Sequence, residues 1–166
     1  MRRLSRHGVF RVAPVLLASL SLVGCGGESG KGGVVEGDGW RGALLTTPDQ
    51  RRIALLGGGG TRADSRIPDR ADVERFEEAL PPSEEFTSGP GASETIQLDE
   101  GYVRQYTELV AGEERQLRVQ GICDPEGFAG WESEWLEVMD GGSCFWNAAM
   151  DLESGEIFYF SFNGMG

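Results

Sequence analysis

The sequence predicts an α+β fold in which one N-terminal helix packs on a strongly curved antiparallel sheet of four or five strands. Two patterns predict it. In the segment directly after residue 67, apolar residues have the spacing of one face of a helix. In the later segments, as far as residue 163, they alternate with polar residues as in strands. We therefore expect residues 67–166 to form the compact domain.

The helix is predicted between Asp69 and Leu80. Asp69 is a good N-cap residue, and acidic side chains follow it in the first turn, where they complement the helix dipole. Val73, Phe76 and Leu80 lie three and four residues apart, which places them on one apolar face. The prolines at positions 81 and 82 end the helix, because a proline ring lacks the N–H donor and clashes with the preceding turn.

Five later segments are predicted to be strands, because their apolar residues alternate between turn residues. These segments are 96–110, 115–123, 135–139, 143–150 and 156–163. Matching the apolar faces of the first two strands requires Leu109 opposite Leu117, since a slip of one residue would put them on opposite faces. The same argument places Val138 beside Cys144 and makes residues 140–142 a hairpin turn.

The last predicted strand is apolar on both faces. Phe158, Phe160 and Phe162 are expected to share one face, while Ile157 and Tyr159 make the other face partly apolar. Such a strand usually lies in the middle of a sheet or under a helix. We therefore expect this strand to be central or covered by the helix.

Residues 1–24 have the features of an export signal: arginines at the start, a short apolar run over residues 12–23, and small residues before a cleavage site. The signal ends in Leu22-Val23-Gly24-Cys25, which resembles the lipobox of bacterial lipoproteins. The resemblance implies that residues 1–24 are removed and that Cys25 carries the lipid, which attaches the protein to a membrane. Because Gly26 rather than aspartate follows the cysteine, the expected location is the outer membrane of a two-membraned bacterium, and otherwise the outer face of the cytoplasmic membrane.

Two segments separate the expected lipid from the compact domain. Half of residues 26–39 are glycine, so residues 25–39 are predicted to be a lipidated cysteine with a flexible tether. Residues 40–66 combine apolar clusters with a run of four glycines at 57–60. This composition leaves two alternatives open, an added edge strand or a loosely ordered segment.

The charge of the chain argues against nucleic acid as a partner. Residues 1–24 contain four of the 15 basic residues and none of the 27 acidic ones, so the mature chain has 11 basic residues and a formal charge of −16. A charge of this sign repels phosphate backbones. We therefore expect no nucleic-acid partner, and an envelope protein or a glycan remains the expected partner class.

The cysteines and the histidine limit the possible chemistry. Cys123 and Cys144 are an even pair in an exported chain, which predicts a structural disulfide. The chain has a single histidine, His7, and it lies in the predicted signal. Serine–histidine and cysteine–histidine catalysis and histidine-ligated zinc are therefore excluded in the mature chain. We expect no enzyme activity, no metal and no cofactor.

One cluster suggests ligand binding instead. Glu132 and Glu134 lie between Trp131 and Trp135, an arrangement similar to that of sugar-binding sites. Two functions follow as alternatives: a non-enzymatic interaction or structural module, or a glycan- or small-ligand-binding module or inhibitor that uses these four residues. The inhibitor alternative also rests on a possible cystatin-like roll, whose Gln-x-Val-x-Gly loop the segment 117–121 approaches except that Leu117 replaces the glutamine.

Four blocks of the compact domain resemble a group of small uncharacterised bacterial secreted proteins and lipoproteins. The blocks are Tyr102-Val-Arg-Gln-Tyr106, Gly121-Ile-Cys123, Val138-Met-Asp-Gly-Gly-Ser-Cys144-Phe-Trp146 and Phe162-Asn-Gly-Met-Gly166. Ile122 replaces the aromatic residue that this group usually has before the cysteine. The resemblance covers residues 68–166; it implies the same disulfide and fold, and it implies no chemistry.

Overall fold

The protein is mostly β-structure, as shown by a computed structural model that describes residues 32–46, 64–89, 92–111, 113–138 and 140–164. Half of these residues lie in nine strands, and a single α-helix is found among them. The predicted α+β fold, including its cystatin-like variant, is therefore wrong. The elements in chain order are β1 Val34–Gly37, β2 Trp40–Leu44, β3 Asp64–Arg66, α1 Arg70–Ala79, β4 Ser83–Gly89, β5 Ala92–Gln97, β6 Val103–Ala111, β7 Glu114–Ile122, β8 Phe145–Asp151 and β9 Ile157–Phe162.

Seven strands form one sheet in the order β1-β2-β6-β7-β8-β9, and β4 and β5 form a separate two-stranded sheet. The remaining strand, β3, shares an edge of β6 with β2: β2 runs parallel to the first half of β6, and β3 runs antiparallel to the second half. β1 lies within the predicted tether, and β2 and β3 lie within residues 40–66. The predicted tether thus supplies one strand, and residues 40–66, for which an added edge strand and a loosely ordered segment were both open, supply two; residues 47–63 lie outside the described residues.

The strands of the seven-stranded sheet contain three glycines, each of which is covered by an aromatic ring. A Cβ atom at Gly37 would collide with the ring of Trp40, and one at Gly42 would collide with the ring of Tyr106. Gly121 in β7 is covered in the same way by Trp146, which lies opposite it in β8. An aromatic side chain packed on a glycine restores the contacts that glycine lacks in a strand.

The predicted helix is confirmed as α1. Val73 and Phe76 are fully buried, and the N–H of Leu80 donates to the carbonyl of Phe76 at the C-terminal end. Asp69 occupies the N-cap position with extended backbone angles, but its side chain makes no capping hydrogen bond. The helix lies on one side of the large sheet and covers a core made by Val73, Phe76, Leu98, Tyr106, Leu117, Val119, Trp146, Ala148, Met150 and Leu152.

The predicted register of β6 and β7 is wrong by one residue. Leu117 lies opposite Glu108 rather than Leu109, and Val119 lies opposite Tyr106. Matching apolar faces does not determine this register because both faces of the sheet are buried: Tyr106 lies fully buried on the helix side, whereas Leu109 is buried on the other side. The second face carries its own core, formed by Ala43, Leu45, Val103, Ile122, Trp131 and Phe145.

The chain between β7 and β8, described over residues 123–138 and 140–144, lies over this second face, and we call it the β7–β8 loop. Residues 135–138 contain no strand, so the predicted strand 135–139 and its hairpin turn are wrong; two short 3₁₀ helices, Pro125–Gly127 and Gly142–Cys144, lie at the ends of the loop. The predicted disulfide between Cys123 and Cys144 is confirmed and closes the loop at its base. β7 then pairs directly with β8.

β9 is an edge strand, not a central one, in the sheet that the described residues form. A bulge in its pairing with β8 lies between Ala149 and Met150, so that Ile157 rather than Phe158 pairs with Met150. Ile157, Phe160 and Phe162 pack against the helix-side core, whereas Phe158 is 45 % exposed. The extra residue at a bulge reverses the alternation of side chains, which is why Phe158 departs from the predicted face.

We expect the disulfide to stabilise the fold mainly by restricting the unfolded chain. Replacing Cys123 and Cys144 together by alanine should lower the free energy of unfolding by about 3 kcal/mol, given the 21-residue separation of the two cysteines. Urea unfolding of the double variant and of the wild type in dithiothreitol should give matching midpoints, both below that of the oxidised wild type. Coincident midpoints for all three samples would contradict this expectation.

Candidate functional site

The four residues predicted to bind a ligand lie in the β7–β8 loop, and they are exposed to different degrees. Trp131 is only 6 % exposed and belongs to the second core. Glu132 and Glu134 are exposed, and Trp135 is half-buried. The two tryptophans therefore differ in what they can offer a ligand, because the ring of Trp131 is mostly occupied by protein contacts.

Arg41 of β2 joins two of these residues. Its guanidinium carbon lies 5.2 Å from the centre of the Trp131 ring, in a cation–π contact. Its Nη2 donates to Glu132 Oε1 at 2.7 Å, and its Nε lies 3.2 Å from Glu36 Oε1 in β1. The arginine thus covers the tryptophan and binds one of the two predicted acids, which attaches the loop to the N-terminal strands.

Gln105 of β6 holds the backbone of the same loop. The side chain is fully buried, and its Nε2 donates to the carbonyl oxygens of Trp131 and Glu134, both at 2.6 Å. Its Oε1 accepts a hydrogen bond of 3.0 Å from the N–H of Leu136. The amide thus replaces a strand as the partner of the loop backbone. This role was not predicted from the sequence, although Gln105 lies in the Tyr102–Tyr106 block.

We expect Gln105→Leu to destabilise the protein by about 2 kcal/mol, because it leaves two carbonyls and one N–H of the loop without partners in a buried place. The measurement is urea unfolding followed by circular dichroism, with Gln97→Leu as the control at an exposed glutamine. Gln97→Leu should change the free energy of unfolding by less than about 0.5 kcal/mol. Equal effects of the two substitutions would show that the loop does not depend on the buried amide.

A cavity of about 380 Å³ lies on the helix side of the sheet, away from the β7–β8 loop. Three short connections meet around it: the β1–β2 turn, the C-terminal end of α1 and the β5–β6 turn. The residues lining it are Asp38, Gly39, Trp40, Glu77, Leu80, Pro81, Asp99, Glu100 and Arg104. Carboxylates and one indole therefore dominate the wall, which suits a small cationic or hydroxylated molecule.

The base of the cavity is a buried ion pair between Glu77 and Arg104. Arg104 Nε lies 3.1 Å from Glu77 Oε1, the side chains being 1 % and 7 % exposed. The hydroxyl of Tyr106 donates to the same carboxylate oxygen at 2.7 Å. Arg104 Nη2 also donates to the carbonyl of Leu98 at 2.8 Å. The charges at the base thus neutralise each other.

Burial shifts the titration of this cluster. Desolvation raises the pKa of Glu77 above its ordinary value, and the opposing effects of Arg104 and of the Tyr106 hydroxyl are smaller. Burial and the neighbouring Glu77 carboxylate also raise the pKa of Tyr106. Tyr106 is therefore a hydrogen-bond donor at every physiological pH, which keeps it bound to Glu77.

Among the described residues, no group of three or more acidic, histidine or cysteine side chains is placed so that it could hold a metal ion. Cys25, the residue expected to carry the lipid, lies outside the described ranges. No family model, curated protein or solved structure matches the chain. The similarity of residues 68–166 to small bacterial lipoproteins thus stays a prediction.

Proposed function

We propose that this chain is a lipid-anchored protein of the bacterial cell envelope whose folded domain is a non-enzymatic interaction module. The observation that carries the proposal is the short distance along the chain between the lipobox and the sheet. β1 begins at Val34, nine residues after Cys25, and nine residues span at most about 30 Å. A lipid on Cys25 would therefore hold the sheet close to the membrane surface.

The arrangement of the polar residues supports an interaction role over catalysis. Glu77 is bound to Arg104 and Tyr106, and Glu132 is bound to Arg41, so these carboxylates act within the fold. A general acid or base must instead reach a substrate proton. None of the helices that the structure describes has the length and apolar character required to span a bilayer.

Labelling with radioactive palmitate in a bacterial host tests the anchor. The wild-type chain should incorporate the label and sediment with membranes, whereas Cys25→Ala should lose both properties. The Cys123→Ala/Cys144→Ala variant is the matched control, because it removes two cysteines and keeps the lipobox. Label on Cys25→Ala, or an unlabelled wild type in the soluble fraction, would refute the anchor.

A second candidate function, binding of a small ligand or glycan, is favoured by the cavity beside Trp40. The first test is a titration with glucosamine, which carries both hydroxyls and a positive charge. Binding is monitored by the change in tryptophan fluorescence. Loss of the response in Trp40→Phe would place the ligand in the cavity. Loss of the response in Trp135→Phe alone would place the ligand at the Trp131–Trp135 segment predicted from the sequence. A wild type that shows no fluorescence response would count against the binding of amino sugars.

A further inference from the structure

Within the part of the chain that the structure describes, the backbone groups on the outer edge of β9 have no partner strand. The strand pairs with β8 on one side, and no described strand pairs with its other side. Asn163 donates its N–H to Phe145 of the β8 side, and hydrogen bonding alternates along an antiparallel strand. The N–H and carbonyl groups of Phe160 and Phe162 therefore point away from β8. An edge of this kind is a template for one more strand.

β9 is also the only one of the nine described strands without a charged residue. Its sequence, Ile157-Phe-Tyr-Phe-Ser-Phe162, contains no proline either. Natural edge strands usually carry a lysine, a proline or another feature that prevents pairing, and β9 has only its bulge. Because the mature chain has a charge of −16, contact between two copies would bring like charges together over much of the surface. Two copies can pair at β9 without this repulsion, because β9 has no charged residue.

The opposite edge of the sheet differs in these respects. β1 has four residues, includes Glu36, and follows the segment that leads from Cys25. Val34 of β1 and Phe158 of β9 are the two large apolar side chains that are clearly exposed among the described residues, at 41 % and 45 %. In the order of the large sheet, five inter-strand spacings, about 24 Å, separate β9 from β1.

We propose that β9 pairs with β9 of a second copy of this chain, antiparallel and about a two-fold axis at Ser161. In this register Phe160 of each copy lies opposite Phe162 of the other, which pairs all the outward backbone groups of both residues. The two sheets then continue as one. The inference deepens the interaction role proposed above and rests on it, by naming the partner and the surface.

The contact is small, and anchoring in one membrane would compensate for that. A pair of six-residue strands buries less area than a stable soluble dimer usually needs. Chains attached to the same membrane have a higher effective concentration than free chains. Because like charges repel across the rest of the surface, the pairing should strengthen as salt rises, whereas binding to a basic partner would weaken.

The test is disulfide cross-linking of the full-length chain in bacterial membranes. Ser161→Cys places one new thiol on the proposed axis, where directly opposite residues of a non-hydrogen-bonded pair come within reach of a disulfide. After mild oxidation, Ser161→Cys should give at least about tenfold more linked dimer than Ser133→Cys, an exposed control in the β7–β8 loop. Mass spectrometry should identify the cross-linked peptide in which the two introduced thiols, one from each copy, are joined.

A charge at the edge provides the matched controls. Adding Phe158→Lys to Ser161→Cys should abolish the linked dimer, while adding Val34→Lys, the same change at the opposite edge, should leave it intact. Far-ultraviolet circular dichroism checks that each variant is folded, and membrane fractionation reports the anchor separately, so loss of anchoring is distinguishable from loss of pairing. Ser161→Cys dimers no more abundant than those of Ser133→Cys, or insensitive to Phe158→Lys, would overturn the proposal.

Discussion

Arg104→Met should destabilise the protein by about 3–5 kcal/mol, because it leaves the carboxylate of Glu77 buried without its counter-charge. Methionine keeps most of the volume of the arginine stem, so the cost reports the unpaired charge more than a cavity. The pair is almost completely removed from water and connects α1 to β6. Urea unfolding monitored by circular dichroism measures the change.

Arg70→Met is the matched control for this prediction. Arg70 pairs with Glu74 one helical turn away, and both side chains are about half exposed. Exposed pairs of this kind contribute less than about 0.5 kcal/mol. A cost for Arg104→Met no larger than that for Arg70→Met would show that water reaches Glu77.

The loss in free energy of unfolding caused by Arg104→Met should also depend on pH. The titration of Glu77 determines the direction of this dependence. Its pKa is raised in the folded protein, so the folded state binds more protons than the unfolded state at pH values between the ordinary value of 4.5 and the raised one. Stability therefore falls as pH rises through this window. Removing Arg104 should widen the window, so the difference between variant and wild type should be larger at pH 7 than at pH 4.

Trp146→Ala is the second substitution with a large expected effect, about 3–5 kcal/mol. The indole is fully buried, lies against Gly121 and stacks on Phe160 with ring centres 5.6 Å apart. Its removal exposes a glycine in a central strand and leaves a cavity in the helix-side core. Trp135→Ala, at the half-buried tryptophan of the β7–β8 loop, is the control and should cost clearly less.

The pair of Gly121 and Trp146 allows a sharper test of the same packing. Gly121→Ala should cost about 1–3 kcal/mol in the wild type, because the new methyl group collides with the indole. In the Trp146→Ala background the same change should cost much less, since the indole is gone. Additive effects of the two substitutions would mean that the ring does not lie on Gly121 in solution.

Elements with local signals were predictable from the sequence. An apolar face and two prolines define α1, and alternation places β7, β8 and β9 within two residues of their positions. The predicted strand 96–110 is wrong at its start, because residues 96–97 end β5, a turn follows, and β6 begins only at Val103. The strands before α1 lack such signals. Gly37 and Gly42 disfavour strands locally, and they are tolerated because rings from Trp40 and Tyr106 cover them.

The candidate site was predictable only in part, for a similar reason. Trp131 and Glu132 stand out as neighbours of opposite character, but Arg41, which binds both, lies 91 residues from Glu132 in the chain. In the sequence, nothing distinguishes Gln105 from an ordinary polar residue of a strand. Gln105 becomes a hydrogen-bond partner only in the folded protein. There the β7–β8 loop lies over the second face without strand pairing, so its backbone groups need other partners.

The positions of α1, β7, β8 and β9 and the Cys123–Cys144 disulfide follow from the sequence alone, because short-range periodicity, the two prolines after α1 and an even cysteine count specify them. The register of β6 and β7, the three strands before α1 and the position of β9 at an edge depend instead on tertiary contacts. These features depend on which faces are buried. With cores on both sides of the sheet, apolar alternation no longer distinguishes the two faces of a strand.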